Sequence, residues 1–397
     1  MSDSAAVMHG IYLDHFSTTP VDPGVLDYYC QILKGNYGNP SSVDHDFGSV
    51  AARLVKASRE KIADLIACDP GEITFTSGAT ESISLFLQGF ATAQSARLGR
   101  KLKVITSPIE HPAVLENLQA LQAAGLIALV TLDVDPQGRI NLHQLGNLAK
   151  SGVDLICIMA VNNETGNIYP TDRIAAIASE HRALYFCDAT QAIGKIPFSL
   201  ASLPDTVVAF SGHKFYAPKG IGVLVADKAI PIKPLFYGGG QQRSLRPGTI
   251  NAPLIAALAH ALQIACEQQG ADAQRISGLR DLLQTKLATL FPQLVVNGDR
   301  EKRVAGALHI SLPGLNNKQL ITRIRDRLAI STGAACSSGS ERPSHVLKAM
   351  GLSPEVIEGA LRISLGRFTT EMEILQCLDV FRSKASQPST QPPRSVT

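Results

Sequence analysis

Seven short apolar runs between residues 73 and 225 constrain the fold of this chain more than any other feature. They are rich in β-branched residues, and several are apolar at nearly every position, as in strands that are covered on both faces. Segments with helical spacing separate most of them. This alternation predicts an α/β fold with a mostly parallel seven-stranded sheet between layers of helices. The runs are residues 73–76, 104–106, 127–132, 155–161, 183–187, 207–210 and 221–225, and examples of the helical segments are 82–93, 111–124 and 171–180.

The pattern changes after about residue 253, where two helical patterns are followed by short strand candidates. This predicts a smaller α+β domain. We expect a large domain at residues 11–255 and a small domain at residues 256–384, with residues 1–15 packed against the small one. Residues 385–397 are rich in Ser, Pro and Gln and are predicted to be a disordered tail. The helical patterns span about 253–268 and 275–290, and the strand candidates are 307–312, 329–331 and 361–364.

Composition and charge exclude several functional classes. Of the 397 residues, 45% are hydrophobic and 18% are charged, which is typical of a soluble globular protein with a large interior. The net charge of +3 does not indicate binding along a nucleic acid backbone. Residues 1–10 lack a basic segment followed by an apolar one, and no run reaches the ~20 apolar residues that span a bilayer. We therefore expect a cytoplasmic enzyme without an export signal.

The seven cysteines are scattered and include no C-x-x-C pair, so neither a metal ribbon nor thioredoxin-type chemistry is indicated. Most of them should be small buried residues in a reducing compartment. Cys336 differs, because residues 332–340 contain only small side chains, with a glycine on either side of the cysteine. We expect this loop to bury little surface and to be mobile.

Polar residues follow most of the predicted strands, at the edge where open parallel sheets bind ligands. The first strand leads into residues 76–82, where Gly78 permits a tight turn before a helix. The N–H groups of that helix, with the hydroxyl of Thr80, can form an anion site. The alternative is an ordinary helix cap. A nucleotide is not indicated, because the Walker lysine and the dinucleotide glycine spacing are both missing.

Further residues at strand ends have an ordinary explanation as well as a chemical one. Asp188 ends an apolar strand and needs a cationic partner, which a protonated ring nitrogen would supply. Lys214 could be a surface lysine, but an amine desolvated in a cleft becomes a nucleophile toward aldehydes. His111 could be a core or surface histidine. Asn162 and Asn163 could cap a loop or hold a ligand oxygen.

An aspartate for a pyridinium, a lysine amine and a helix start for a phosphate are together the requirements for binding pyridoxal phosphate. With these residues in this order, the sequence resembles the NifS/IscS-type cysteine desulfurases, class V aminotransferases with the fold type I of pyridoxal-phosphate-dependent transferases. The resemblance covers residues 11 to about 382. It rests on residues 11–14, 18–20, 38–42, 45, 75–82, 162–164, 188–191, 211–214, 238–240, 246–249, 331–340, 343–347 and 362–367.

The resemblance implies a role for each principal site residue. Lys214 would bind the cofactor through its amine, and Asp188 would pair with the ring nitrogen. His111 would stack on the ring and act as acid and base. Arg362 would hold the substrate carboxylate, which a guanidinium fork matches. Cys336, as a thiolate, would attack the sulfur of free cysteine and become a persulfide.

The resemblance also implies the remaining contacts to the cofactor. Gln191 and Asn163 would contact the phenolic oxygen and the substrate side. Thr249 would reach the phosphate of the neighbouring subunit, which implies a homodimer. Within one subunit, the phosphate region would be formed by Ala79, Thr80, Ser211 and His213.

The expected reaction converts L-cysteine to L-alanine and leaves the sulfur on Cys336, for delivery to an acceptor protein in iron–sulfur cluster assembly or another sulfur pathway. One alternative is a class V aminotransferase, or a C–S or selenocysteine lyase, that does not need Cys336. Another is a sulfur-trafficking scaffold without catalysis, which would have no need for Lys214, Asp188 and His111 together. The sequence does not indicate which acceptor is used or whether selenocysteine is a substrate.

Several positions depart from the IscS-type pattern without removing a catalytic group. Tyr237 precedes the glycine triplet where His is usual, and Gln241 with Gln242 replaces His-Glu or Gln-Glu. Pro247 stands where Ser is frequent, and residues 16–17 (Phe-Ser) replace a small pair with Ala. A Pro/Ser tail takes the place of the C-terminal segment through which IscS-type members engage the iron–sulfur scaffold.

Overall fold

The structure, a computed structural model, describes residues 10–333 and 343–385. Residues 334–342, which include Cys336 and its expected mobile loop, and residues 386–397 of the expected tail lie outside these ranges. The strands are β1 Ile11–Tyr12, β2 Ile73–Thr76, β3 Leu102–Thr106, β4 Ile127–Thr131, β5 Leu155–Cys157, β6 Leu184–Asp188, β7 Thr206–Ser211, β8 Gly222–Val225, β9 Val295–Val296, β10 Ala307–Ser311, β11 Leu328–Ala329 and β12 Ala360–Ser364. The α-helices are α1 Pro23–Gly35, α2 Asp46–Ile66, α3 Ala79–Leu98, α4 Pro112–Ala123, α5 Leu142–Ala149, α6 Thr171–Glu180, α7 Ala252–Leu290, α8 Asn317–Ile324, α9 His345–Ala349, α10 Pro354–Glu358 and α11 Glu371–Ala385.

The mostly parallel seven-stranded sheet predicted from the apolar runs is confirmed. Its strand order is β2-β8-β7-β6-β5-β3-β4. Neighbouring strands are parallel apart from β8, which runs antiparallel to both β7 and β2. Only residues 212–221 join β7 to β8. Because a parallel crossover requires roughly a dozen residues or more, the chain turns back beside β7 instead.

Both faces of this sheet are covered, as the apolar runs predict. In β7, Val208 and Phe210 enter the core on one face, while Val207 and Ala209 enter the core on the other. Successive side chains of a strand point to opposite faces, so a strand between two cores must be apolar at nearly every position. Helices therefore cover the faces, and the strand ends are left to bind ligands.

The apolar run at residues 155–161 is a strand only as far as Cys157, because the chain then leaves the sheet to form a turn at Asn162. The side-chain oxygen of Asn162 accepts hydrogen bonds from the backbone N–H groups of Glu164 (2.8 Å) and Thr165 (2.9 Å). Val161 pairs with Ile168 across the turn. The turn keeps the residues after Asn162 at the carboxyl edge of the large sheet.

Helix α7 connects the large sheet to a second sheet with the order β12-β10-β9. We predicted two helices here, but α7 is continuous, and Gly270 lies inside it without ending it. Its first half packs into the core of the large sheet, and its second half, from Ile276, packs into the core of the small one. The expected domain boundary at residues 255/256 falls inside α7, and the division into two domains stays a prediction. Neither α7 nor any other helix of the described ranges combines the length and apolar character needed to cross a bilayer.

The N-terminal strand lies beside the small sheet. β1 pairs in parallel with β11, and Asp14 forms an isolated bridge with Ser364 of β12. The backbone N–H of Phe16 donates to the hydroxyl of Ser364 at 2.9 Å. These contacts fix residues 14–18 above the carboxyl edge of the large sheet, where they form one wall of a cleft.

Candidate active site

A cleft of about 540 Å³ opens at the carboxyl ends of the parallel strands. Its floor is formed by residues that follow β2, β6 and β7, and residues 16–18 and Arg362 close the opposite side. Ligands of open parallel sheets bind at this edge. Ten residues singled out in the sequence line the cleft together: Ala79, Thr80, His111, Asn163, Asp188, Gln191, Ser211, His213, Lys214 and Arg362.

Lys214 reaches the cleft from a short 3-10 turn, Gly212–Lys214, directly after β7. Its amine donates hydrogen bonds of 2.7 Å to the backbone carbonyls of both Phe16 and Ser17. The lysine is therefore held against the wall formed by residues 16–18.

Asp188 is the last residue of β6 and is 6% exposed. One of its carboxylate oxygens accepts a 3.0 Å hydrogen bond from the backbone N–H of Thr190. The hydroxyl oxygen of Thr190 is buried and has no hydrogen-bond partner among the described residues. Gln191 follows in the same turn and donates from its side-chain nitrogen to the carbonyl of Phe16 at 2.9 Å. A buried carboxylate beside unpaired polar atoms favours a cationic ligand group.

Helix α3 points its N-terminus into the cleft. Its N-cap is Gly78, which supplies no side-chain hydrogen bond to the first turn, so the helix N–H groups are available to an anion. Ser211 and Thr80 line the same corner. Gly222 of β8 passes directly beneath, and a Cβ there would lie 2.5 Å from the Cα of Gly78. The close approach of these two backbones therefore requires glycine at position 222.

His213 lies beside this corner and is held by Thr18, whose hydroxyl is 3.0 Å from Nδ1. Burial lowers the pKa of His213 to about 4, and the positive charges of Lys214 and Lys219 add to the effect. The imidazole is therefore neutral near pH 7. It can hydrogen-bond to an anion without adding a further charge to a region that already holds two lysines.

His111 is the N-cap of helix α4, and its Nδ1 accepts a 3.1 Å hydrogen bond from the backbone N–H of Ala113. This contact assigns the proton of the neutral ring to Nε2, because Nδ1 must act as the acceptor. Below it, Glu110 is 1% exposed and accepts a 2.5 Å hydrogen bond from the hydroxyl of Ser107. Burial, with a smaller contribution from the charge of Asp188, raises the pKa of Glu110 to about 8.

Arg362 enters the cleft from β12 and is 3% exposed. Its Nη1 donates to the carbonyl of Asn163 at 3.0 Å, and its Nη2 donates to the carboxylate of Asp14 at 2.9 Å and the hydroxyl of Ser17 at 2.6 Å. Its Nε has no hydrogen-bond partner within residues 10–333 and 343–385. Three fixed partners orient the guanidinium, and the remaining N–H groups can bind a carboxylate.

Glu164 lies next to the cleft and contacts residues at both ends of the 334–342 segment. The hydroxyl of Ser344 donates to Oε2 of Glu164 at 2.6 Å. Gly333 has a φ of +89°, and a Cβ on it would lie 2.8 Å from the same oxygen. Burial raises the pKa of Glu164, while the Ser344 hydrogen bond and the charges of His345 and Arg362 oppose that increase.

Two residues singled out in the sequence are not part of this cleft as described. Cys336 lies outside the described residues. Thr249 is exposed and does not line the cleft of its own chain. Its segment is tied to the start of α3 by an ion pair, in which Nε of Arg246 lies 2.8 Å from the carboxylate of Glu81.

The sequence analysis missed four residues at or beside the cleft: Ser17, Thr190, Lys195 and Lys219. Thr190 was inside a recognised motif but was given no role. Ser17 was noted only as a departure from the family pattern. Lys195 follows Gln191 by four residues, the spacing that places two side chains on one face of a helical turn, and that spacing was the signal available.

Comparison with known proteins agrees with this geometry. Residues 11–377 match the family described as Aminotransferase class-V. The cysteine desulfurase IscS of Rickettsia typhi (strain ATCC VR-144 / Wilmington) is 38% identical over 376 residues, which are 94% of this chain and 90% of that protein. A solved structure of a NifS-like protein superposes with a TM-score of 0.88 at 36% identity and covers 95% of this chain and 99% of that one. A structure of SspA in complex with cysteine has a TM-score of 0.78 at 31% identity, with 90% and 99% covered.

The match therefore extends over nearly the whole chain, in sequence and in fold. It includes the large sheet, helix α7 and the small sheet, and so all the elements that surround the cleft. The chain belongs to the class-V aminotransferase family and, within it, to the pyridoxal-phosphate-dependent cysteine desulfurases of the NifS/IscS type.

Proposed function

We propose that this chain converts L-cysteine to L-alanine in the cleft at the carboxyl edge of its large sheet, and that Cys336 takes the sulfur as a persulfide. The observation that carries the proposal is the meeting of Lys214, Asp188 and Arg362 around one cavity. These residues come from three different elements and supply an amine, a buried anion and a carboxylate-binding cation. The two alternative enzymes, an aminotransferase and a lyase, would have no use for Cys336.

The residues of the cleft fit pyridoxal phosphate. The cleft has a volume of about 540 Å³, which has room for the cofactor with an amino acid beside it. The side-chain oxygens of Asn163 and Thr190 are buried and unpartnered in the described part of the chain, and a bound ligand would supply their partners. The uncapped start of α3, with Thr80, Ser211 and His213, would hold the phosphate. Asp188 would hold the proton on the ring nitrogen.

Pyridoxal phosphate, when bound, draws electrons away from the substrate α-carbon and makes its hydrogen acidic. The amine of Lys214 is the base that removes this hydrogen, because it lies in the cleft opposite Arg362, held by the carbonyls of Phe16 and Ser17. Arg362 fixes the substrate carboxylate, and its own position is set by Asp14, Ser17 and Asn163. His111 exchanges its proton at Nε2, since Nδ1 is occupied by the N–H of Ala113.

Sulfur transfer requires Cys336 as a thiolate. Its sulfur attacks the sulfur of the substrate, so that an S–S bond forms and the C–S bond of the substrate breaks. The electron pair of the broken bond stays on the substrate carbon, which is then protonated to give alanine. Chain length supports this role, because Cys336 is three residues from Gly333, and three extended residues span at most about 11 Å. Gly333 itself lies against Glu164, beside the cleft.

We also propose that the protein is a cytoplasmic homodimer that passes sulfur to an acceptor protein in iron–sulfur cluster assembly or another sulfur pathway. The side chains of Phe236 and Tyr237 are 56% and 87% exposed in the single chain, and a Cβ on the adjacent Gly238 would lie 3.1 Å from Pro247, two residues before Thr249. Large exposed aromatic residues are typical of protein interfaces. We assign Thr249 to the same interface, from which it would reach the partner's cleft.

Incubation of the purified protein with L-cysteine tests the proposal. We expect alanine and enzyme-bound persulfide from the wild type, and a loss of alanine formation of about 10²–10⁴-fold in Lys214→Ala, because the base is removed. Cys336→Ala should form no enzyme-bound persulfide. Cys30→Ala is the matched control, since Cys30 is an exposed cysteine remote from the cleft. If Cys336→Ala makes alanine and sulfide at the wild-type rate, the protein is a lyase. A wild type that makes no alanine overturns the proposal.

A further inference from the structure

Lys195 lies directly behind the cleft and contacts Gln191. Residues 189–196 form successive hydrogen-bonded turns, in which the backbone N–H of Lys195 donates to the carbonyl of Ala192 at 2.9 Å and Gly194 has a φ of +73°. These turns bring the side chains of Gln191 and Lys195 together. The amine of Lys195 donates a short hydrogen bond to the side-chain oxygen of Gln191 and lies 4.5 Å from the centre of the Phe16 ring.

The Gln191 amide is therefore held from both of its ends. Its oxygen accepts from Lys195, and its nitrogen donates to the carbonyl of Phe16 at 2.9 Å. The two ends of an amide differ in chemistry but hardly in shape, so only hydrogen bonds can determine which end faces which neighbour. A flipped amide would put two oxygens in contact at Phe16 and would leave the Lys195 amine without its acceptor.

We propose that Lys195 is a positioning residue that fixes the amide of Gln191, so that Gln191 presents an N–H, and not its carbonyl oxygen, to the cofactor. The amide nitrogen carries two hydrogens, and the carbonyl of Phe16 accepts one of them. Gln191 is 3% exposed and lines the cleft, so the second hydrogen is available to a cofactor oxygen. This inference rests on the proposed function, in which Gln191 contacts the phenolic oxygen.

The charges around Lys195 agree with a role in orientation. Burial lowers the pKa of Lys195 well below its usual range, and the positive charges of Lys214 and Arg362 on the cleft side add to the effect. Lys195 in turn lowers the pKa of His15. On its far side a small cavity of about 50 Å³ contains Asp272, which pairs with Arg367 at 2.7 Å. Lys195 forms no ion pair with a carboxylate in the described ranges, so its fixed partner is the amide oxygen.

An N–H donor stabilises the negative phenolic oxygen of the bound cofactor and so lowers the pH at which the cofactor's visible absorbance changes. Loss of the donor should raise this midpoint. Because hydrogen bonds to charged groups are roughly twice as strong as those between neutral groups, the expected shift is about one pH unit or more. Removal of a nearby positive charge would move the midpoint in the same direction, so the test must separate the two causes.

A double-mutant cycle separates them. The pH midpoint of cofactor absorbance is measured in the wild type, Lys195→Met, Gln191→Leu and the double variant, with Lys228→Met as an exposed control. We expect both single variants to shift upward, the double variant to shift no further than Lys195→Met, and the control not to shift. Additive shifts, or an unchanged midpoint in Lys195→Met, overturn the inference. A wild type that takes up no pyridoxal phosphate contradicts the proposed function instead.

A second substitution covers the case in which Lys195→Met does not fold. Lys195→Gln keeps a neutral donor for the Gln191 oxygen but removes the charge. Because removal of the charge alone also raises the midpoint, we expect an upward shift that is smaller than that of Gln191→Leu. An upward shift as large as that of Gln191→Leu would show that the charge of Lys195, and not its hold on the amide, is what matters.

Discussion

The hydroxyl of Ser344 donates a 2.6 Å hydrogen bond to Glu164, a residue 180 positions earlier in the chain. Ser344 follows the 334–342 segment, and Gly333, which precedes that segment, lies against the same carboxylate oxygen. One buried side chain therefore contacts the residues on both sides of the segment that carries Cys336.

We expect Ser344→Ala to slow sulfur transfer without changing the cofactor. The substitution leaves the buried carboxylate of Glu164 without its closest donor, which costs about 1–3 kcal/mol, and it releases one end of the segment. In single-turnover experiments, persulfide formation should slow severalfold, while the cofactor absorbance change on adding cysteine stays the same. Ser353→Ala is a matched control, because Ser353 caps α10 in the way that Ser344 caps α9 but has no contact with Glu164. Equal effects of the two variants would contradict this reading.

The stability of the protein should depend on Glu110 between pH 4.5 and about 8. Burial raises the pKa of Glu110 in the folded protein from 4.5 to about 8. The folded state therefore keeps a proton that the unfolded chain has lost, and stability falls as pH rises through this window. Each pKa unit corresponds to about 1.4 kcal/mol, so the upper bound is on the order of 5 kcal/mol. Urea unfolding of Glu110→Gln should show a flatter pH profile than the wild type.

Glu116→Gln serves as the control for this measurement, because Glu116 is exposed on the neighbouring helix α4. Its profile should follow that of the wild type. Parallel profiles for the wild type and Glu110→Gln would show that Glu110 is ionised in the folded protein at pH 5–7.

Substrate affinity should depend on Ser17, through Arg362. Removal of the hydroxyl in Ser17→Ala takes away the 2.6 Å contact of Nη2 but leaves Asp14 and Asn163 as partners. A single hydrogen bond contributes about 1 kcal/mol, so KM for cysteine should rise about fivefold with little change in kcat. Arg362→Lys should raise KM much further, because an ammonium lacks the planar fork. Steady-state kinetics check both variants, with Ser17→Thr as the form that keeps a hydroxyl. A fall in kcat at constant KM would assign Ser17 a different role.

Mixed dimers can test whether Thr249 serves the neighbouring cleft. Thr249→Ala should weaken cofactor binding about tenfold, as expected for one lost contact to a phosphate. Consider a dimer of one Thr249→Ala chain and one Lys214→Ala chain, with the phosphate contact made across the interface. The cleft of the Thr249→Ala chain then has its own Lys214 and the partner's Thr249 and is intact, whereas the other cleft lacks both residues. The purified mixed dimer should then show about half of the wild-type activity at limiting cofactor. If Thr249 acts in its own chain, the mixed dimer will be no better than half as active as the Thr249→Ala homodimer.

Local patterns in the sequence predicted the features that depend on local structure. The apolar runs identified the strands of the large sheet, and α6 spans residues 171–180 as expected. Residues at strand ends meet because parallel strands share an edge, so the cleft lining could be inferred without coordinates. The roles of those residues stay predictions.

Features that depend on distant contacts could not be predicted in this way. The pairing of β8 with β2 joins strands that lie far apart in the chain, and the unbroken α7 follows from packing on two cores that outweighs the cost of Gly270. The pairing of Ser344 with Glu164 joins residues that nothing local relates. Lys195 would have been assigned to the surface, because a lysine in an ordinary turn gives no sign that Phe16 and Gln191 lie against it.

Helix α7 has a consequence for how the protein unfolds. Its 39 residues, at 1.5 Å each, give a rod about 58 Å long that contributes Leu258 and Leu262 to one core and Leu283 and Leu287 to the other. A helix without its packing partners is only marginally stable in water. If one core unfolds, the half of α7 that packs on it loses its support, and the unfolding of that half weakens the helix that the other core packs against. The two regions should therefore melt together, as a single cooperative transition in a calorimeter, although each has its own sheet and its own interior.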